Sequence, residues 1–166
     1  MSAMSKDEDT PPISGNTVLV CVDDSQHSAH AFNWYCDNFH CINDLLAIAH
    51  IYEQADTLEI FDPDDIEYQR RVLTVLDKSK TITKAFEEAC AQRCIKYLVL
   101  TEEKIDNVGK TICKMADQND VSCIVMGSRG LGLVKRTVVG SVSDYVIHNA
   151  HVPVLIVPPP AKDENK

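Results

Sequence analysis

The chain has 166 residues, 45% of them hydrophobic and 25% charged, and its 25 Asp and Glu outweigh 16 Lys and Arg to give a formal net charge of −9. That length suits one domain with a sizeable core, and no apolar run approaches the roughly 20 residues a membrane span requires. The acidic balance argues against a nucleic-acid backbone as main partner, because such binding relies on clustered Lys and Arg displacing counterions. The opening Met-Ser-Ala-Met-Ser-Lys-Asp-Glu-Asp lacks an apolar signal region. The expectation is a soluble, cytoplasmic protein with neither nucleic acid nor membrane as partner.

Residues 1–15 are polar and carry Pro11-Pro12, which reads as a flexible arm. Thr17 to Val22 is a short, continuous apolar run of strand formers, as expected for a strand covered on both faces. A helix follows to about His40, with Ala29, Phe32, Trp34, Tyr35 and Phe39 at near-helical spacing and Ser25 or Asp24 as its cap. Leu45 to Ile51 is the second strand, and the acidic stretch after it, around Asp62-Pro63-Asp64, reads as a loop or short-helix excursion. From Tyr68 to Cys94 the residues Val72, Leu76, Ile82, Phe86, Ala89 and Cys90 form the stripe of a long helix, with Ser79 marking a place for a bend.

Tyr97 to Thr101 is the third strand. Residues 108–116 return to helix, with Asp106 or Asn107 as cap, and a fourth strand runs from Val121 to Met126. Val142 to Ala150 reads as a helix. Val152 to Val157 is the fifth strand, cut off by Pro158-Pro159-Pro160, and 159–166 is a polar, flexible tail. Strands alternating with helices of this length favour parallel pairing through right-handed crossovers, hence one α/β domain over 16–158 with helices on both faces of the sheet.

The seven cysteines fall mostly within apolar strand or helix patterns, as reduced thiols do. Cys90 with Cys94, and Cys36 with His40, have the i, i+4 spacing of two metal ligands on one helix face. They lack the paired Cys-x-x-Cys of a structural site, and no metal is expected. The six histidines are scattered without a carboxylate or thiol partner at motif spacing. Gly109-Lys110-Thr111 imitates the end of a P-loop, but Lys104 stands where the first P-loop glycine should be, and a helix start is the better reading.

The segment that most asks for a ligand is Gly127-Ser128-Arg129-Gly130, nine residues, then Gly140-Ser141-Val142-Ser143. It joins the carboxyl end of a strand to the start of a helix, where open α/β sheets bind nucleotides. Glycine lets the backbone approach a ligand, and a helix amino terminus offers N–H groups and partial positive charge to phosphate. Arg129, Lys135 and Arg136 add local positive charge. An ordinary turn followed by an ordinary helix cap is the rival reading.

The uninterrupted Gly-x2-Gly-x9-Gly-Ser pattern resembles the nucleotide-binding signature of the universal stress protein family, ATP-binding branch. The likeness runs from about Asn16 to Pro158 and includes Val20-Cys-Val-Asp-Asp-Ser25, His50-Ile51 and the final Val-Pro-Val-Leu-Ile-Val. It implies a Rossmann-like five-stranded parallel sheet of order 3-2-1-4-5. It further implies Cys21, Val22, Asp23 and Ile51 at the base and ribose end of an adenine nucleotide. Met126, Gly127, Ser128, Arg129 and Gly130 would line ribose and phosphate, and Gly140, Ser141, Val142 and Ser143 would receive phosphates. ATP, or AMP or ADP, is the implied cofactor, with Mg2+ carried on its phosphates, and a homodimer through Val152 to Val157 is the implied assembly. The acidic segment Glu53 to Glu67 matches no family motif, and Thr101-Glu-Glu-Lys-Ile lacks the glycine often seen after strand three.

Three functions follow as expectations. The first is an adenine-nucleotide-binding protein of stress response or signalling, whose nucleotide state governs dimer or partner. The second is slow, metal-dependent ATP hydrolysis with Asp23 or Asp24 near the metal, less supported because the chain shows no Walker lysine or water-orienting residue. The third is a nucleotide-free dimeric interaction module.

Overall fold

The computed structural model describes residues 15–53, 66–104, 106–128 and 140–160. The elements are β1 (Thr17–Cys21), α1 (Gln26–Asn38), β2 (Leu45–Tyr52), α2 (Ile66–Gln92), β3 (Tyr97–Glu103), α3 (Val108–Gln118), β4 (Cys123–Gly127), α4 (Ser141–Asn149) and β5 (Val154–Val157). All strands are parallel, in the order β3-β2-β1-β4-β5. The arm 1–14, the acidic stretch 54–65 and the tail beyond 160 lie outside the described residues.

Alternation along the strands divides the apolar residues between two layers. Val18, Val20, Leu46, Ile48 and Val125 face α1 and α2 and pack with Phe32, Tyr35, Phe86 and Cys90. Leu19, Ala47, Ala49, Ile124 and Met126 face the other way, onto Ile112, Met115 and Val146 of α3 and α4. A strand buried on both faces reads as a continuous apolar run, which is why the central strands were legible.

Local chemistry sets the boundaries. Helix α1 is capped by Ser25, whose side chain accepts from Ser28 N–H, and α3 by Asn107, whose side chain accepts from Gly109 N–H at 2.7 Å. Helix α2 ends at Gln92 rather than Cys94 because Cys94 turns into the left-handed region, φ 55°, and Ile95 N–H then donates back to Cys90 O at 3.0 Å. Asp120, φ 47°, and Val121 N–H to Ala116 O end α3 in the same way. Gly109 is the first turn of α3, where a Cβ would come within 2.7 Å of the Tyr145 ring of α4. The P-loop look-alike is thus a helix–helix contact.

The strand limits differ from the sequence reading by one or two residues, and two of these differences have a plain local cause. β3 continues to Glu103 because Glu102 and Glu103 pair with Ile51 and Tyr52, and an edge strand tolerates such charge. β5 starts at Val154, since Pro153 has no N–H to contribute; its carbonyl still accepts from Ile124 N–H at 2.9 Å.

Candidate nucleotide site

A cleft of about 680 Å3 opens over the carboxyl ends of β1, β2 and β4. Strand β1 lies between β2 and β4, so the connections leave its two sides in opposite directions, and the cleft sits at that reversal. Ten of the thirteen predicted site residues line it: Cys21, Val22, Asp23, Ile51, Met126, Gly127, Gly140, Ser141, Val142 and Ser143. Ser128 does not; its N–H donates to Val157 O at 3.0 Å, continuing the β4–β5 ladder. Arg129 and Gly130, with Lys135 and Arg136, lie outside the described residues.

Two helix starts face this cleft, and they are finished differently. At α1, Asp23 Oδ1 accepts from Ser25 N–H at 2.9 Å, Ser25 Oγ accepts from Ser28 N–H at 3.2 Å, and Ser28 Oγ accepts from Asp23 N–H at 3.2 Å. Asp23 therefore shapes the β1–α1 corner as well as lining the cleft. At α4 the cap is Gly140, which brings no side-chain oxygen to the first turn, and the first helical bond is Asp144 N–H to Gly140 O at 2.8 Å. The amide groups of Ser141, Val142 and Ser143 precede that bond and belong to the N–H groups a helix cannot satisfy internally. A glycine cap explains this directly, because it contributes no oxygen.

Gly127 has a structural reason to be glycine. A Cβ there would lie 2.6 Å from His27 O and 2.9 Å from His27 C, so only glycine lets the end of β4 meet the first turn of α1. Its φ is not positive, so close approach, not left-handed geometry, demands it.

The described rim is acidic but paired. Lys78 Nζ lies 3.3 Å from Asp24 Oδ2, and Lys104 Nζ lies 2.7 Å from Glu53 Oε1. The hydrogen bond and charge of Lys104 hold the Glu53 carboxyl below its ordinary value. Burial pushes the Cys21 thiol up to about 12, helped by Cys113 and Asp23, so this cysteine is a neutral apolar lining group. Cys90 is core and Cys94 exposed, so the pair does not share a face. His40 stands beyond α1 with Nδ1 3.2 Å from Tyr35 Oη.

Sequence reasoning missed one wall. His50 and the α2 residues Val75, Lys78, Ser79 and Ile82 also line the cleft. His50 follows Leu46 and Ile48 on the inward register of β2, and Ser79 stands in helical register with Ile82 and Phe86, so each is a polar residue at a core position. That was the available signal.

These features define an open, doubly wound α/β domain with a ligand-sized crevice at its topological switch point. The universal stress protein family model matches residues 15–158, and the chain belongs to that family. It is 30% identical over 104 residues to universal stress protein Slr1101 of Synechocystis, covering 63% of this chain and 88% of that one. It spans about half, 54%, of a second relative from the same organism, universal stress protein Sll1654, at 36% identity over 86 residues and 50% of this chain. Among solved structures, a universal stress protein family protein of Arabidopsis thaliana, At3g01520, with AMP bound, superposes with a TM-score of 0.62 at 17% identity, covering 88% of this chain and 93% of that one. A universal stress protein in complex with cAMP gives 0.60 at 20% identity, covering 87% and 97%. At those identities the likeness is one of fold.

Proposed function

We propose that this chain binds an adenine nucleotide, ATP or AMP, in the cleft at the ends of β1, β2 and β4, and acts in stress response or signalling through its nucleotide state. The observation that carries this reading is the α4 start at Gly140–Ser143, left without a side-chain cap where it faces a crevice of about 680 Å3. Unsatisfied amide groups and the positive end of a helix are a phosphate receptor, and neutral donors serve in a rim whose described cations are paired. Asp23 and Ile51 line the same cleft, where a carboxylate can accept from ribose or an amino group and an apolar side chain can support a base. The bound structures of the Arabidopsis protein and of the cAMP complex make an adenine nucleotide the first ligand to test.

Binding rather than turnover is the core of the reading. Mg2+ would enter on the phosphates, and slow hydrolysis would need a positioned nucleophile and metal carboxylates, for which the sequence carries no motif. Arg129 and Gly130 would complete the phosphate end. A homodimer through the open edge of β5, within Val152 to Val157, fits an edge strand with one neighbour, and light scattering at micromolar concentration would return twice the monomer mass. Native mass spectrometry of the purified chain, followed by titration with ATP and AMP, tests the main reading. A mass shift of one nucleotide and saturable binding are expected; no binding of either overturns it.

A further inference from the structure

At the amino edge of the sheet, the end away from the cleft, an apolar knuckle stands in solvent. The connection from α1 to β2 closes in a tight turn: Asp44 N–H donates to Cys41 O at 2.9 Å, and Asp44 Oδ2 accepts from Cys41 N–H at 3.3 Å. The tip of such a turn is ordinarily Gly, Asn, Asp, Ser or Pro. Here its leading residue is Ile42, 86% exposed, and Phe39, 51% exposed, stands three residues before it. Cys41, between them, is exposed as well. A single exposed apolar residue needs no explanation. Two of them within four positions, held on a hydrogen-bonded turn, form a patch that the described residues leave uncovered.

The same turn stands where the chain enters the sheet. Asp44 is buried, its Oδ1 accepts from Asn16 N–H at 2.9 Å, and Leu45 N–H donates to Asn16 O at 2.9 Å. Gly15 is pressed against Asn43, where a Cβ would collide with the carbonyl oxygen. Thr17 pairs with Leu45, so Asn16 falls beside Asp44, Gly15 beside Asn43, and the residues before Gly15 are carried toward Ile42. Those residues are Pro11-Pro12-Ile13-Ser14, in which Ile13 is the one branched apolar side chain. At about 3.3 Å per extended residue, Ile13 stays within roughly 7 Å of Gly15, and the two prolines favour extended backbone ahead of it. We propose that residues 11–14 lie across the turn Cys41–Asp44 as a strap, with Ile13 set on Ile42 and Phe39. The occupant is the chain's own arm, because the turn already holds the start of that arm by hydrogen bonds and the tether keeps its local concentration high.

Thermal melting of the full chain, with Ile13→Asp, Ile42→Asp and the double variant, tests the strap. An uncovered Ile42 at a turn tip would accept a carboxylate without loss; a covered one would not. Each single variant should melt about 2–5 °C below the wild type, and the double variant no lower than the weaker single, since both remove one contact. Independently, Ile13→Cys incubated with oxidised glutathione should form a disulfide to Cys41 rather than to Cys94, the other exposed cysteine, as peptide mapping would register. Ile42→Asp melting with the wild type, losses that add in the double variant, or linkage to Cys94 overturns the proposal. A light-scattering mass that falls in Ile42→Asp but not in Ile13→Asp assigns the patch to a second copy of the chain and overturns it too.

Discussion

Replacing Gly127 by alanine probes the junction on which the cleft is built. The added Cβ would sit 2.6 Å from His27 O, about 0.8 Å inside the 3.4 Å at which ordinary van der Waals contact begins. The obstacle is backbone on the first turn of α1, so no side chain can rotate away; β4 and α1 must separate. Overpacking of this kind costs about 1–3 kcal/mol. The alanine returns about 0.4–1 kcal/mol by restricting the unfolded chain, since Gly127 does not have a positive φ. The net loss is centred on about 1.3 kcal/mol, with limits of about 0–2.6, and that central value corresponds to roughly 3–5 °C in melting temperature for a domain of this size. The ligand-free variant, followed by circular dichroism during a thermal ramp, should show that drop. Nucleotide affinity should fall as well, because the displaced turn carries the Asp23–Ser25–Ser28 corner. A variant that melts with the wild type but no longer binds nucleotide would refute the packing argument and make Gly127 a residue of the ligand alone.

The other predictions use different handles. Ser141→Glu puts a carboxylate on the exposed first residue of α4: the helix dipole should stabilise the ligand-free fold by about 0.3–1 kcal/mol, while repulsion should weaken ATP by roughly ten-fold or more, so melting and titration should move in opposite directions. Cys94→Gly relieves a left-handed residue at the end of α2 and should raise stability by about 0.5–1 kcal/mol, measured by urea unfolding. At pH 8 an alkylating reagent should reach the exposed Cys41 and Cys94 first, and the half-buried Cys21 and buried Cys90, whose thiols are pushed up to about 12, last, as peptide mass mapping would register. Those same thiols set an alkaline limit. The unfolded thiol loses its proton near 9 while the folded one keeps it to about 12, so the folded state binds more protons and stability must fall as pH rises between those values. A melting temperature equal at pH 8 and pH 10.5 would contradict this.

The sheet was legible because its central strands are buried on both sides and carry unbroken apolar runs, and the strand order came with the family resemblance carried by the glycine pattern. Helix starts were nearly as plain: Ser25 and Asn107 cap where one of two neighbours was expected to. What escaped the sequence depends on contacts between distant segments. Nothing local says that Gly127 is held against His27, or that Gly109 is held against Tyr145. Glu102 and Glu103 look unlike a strand until their pairing with Ile51 and Tyr52 is known. Ser128, assigned to the ligand by resemblance, has its amide committed to Val157. His50 and Ser79 were passed over because a lone histidine or a mid-helix serine is uninformative until the fold shows what stands opposite.

The two helix starts at the cleft have a thermodynamic consequence. Helix α1 closes its own first turn with Ser25, while α4 leaves its amides waiting. A ligand that supplies the missing acceptors binds only the folded chain, so it adds to folding free energy by mass action, about 2.7 kcal/mol at a hundred times its dissociation constant. Resistance to unfolding and to proteolysis would then track the surrounding concentration of that ligand, and the abundance of the protein would become a slow record of it.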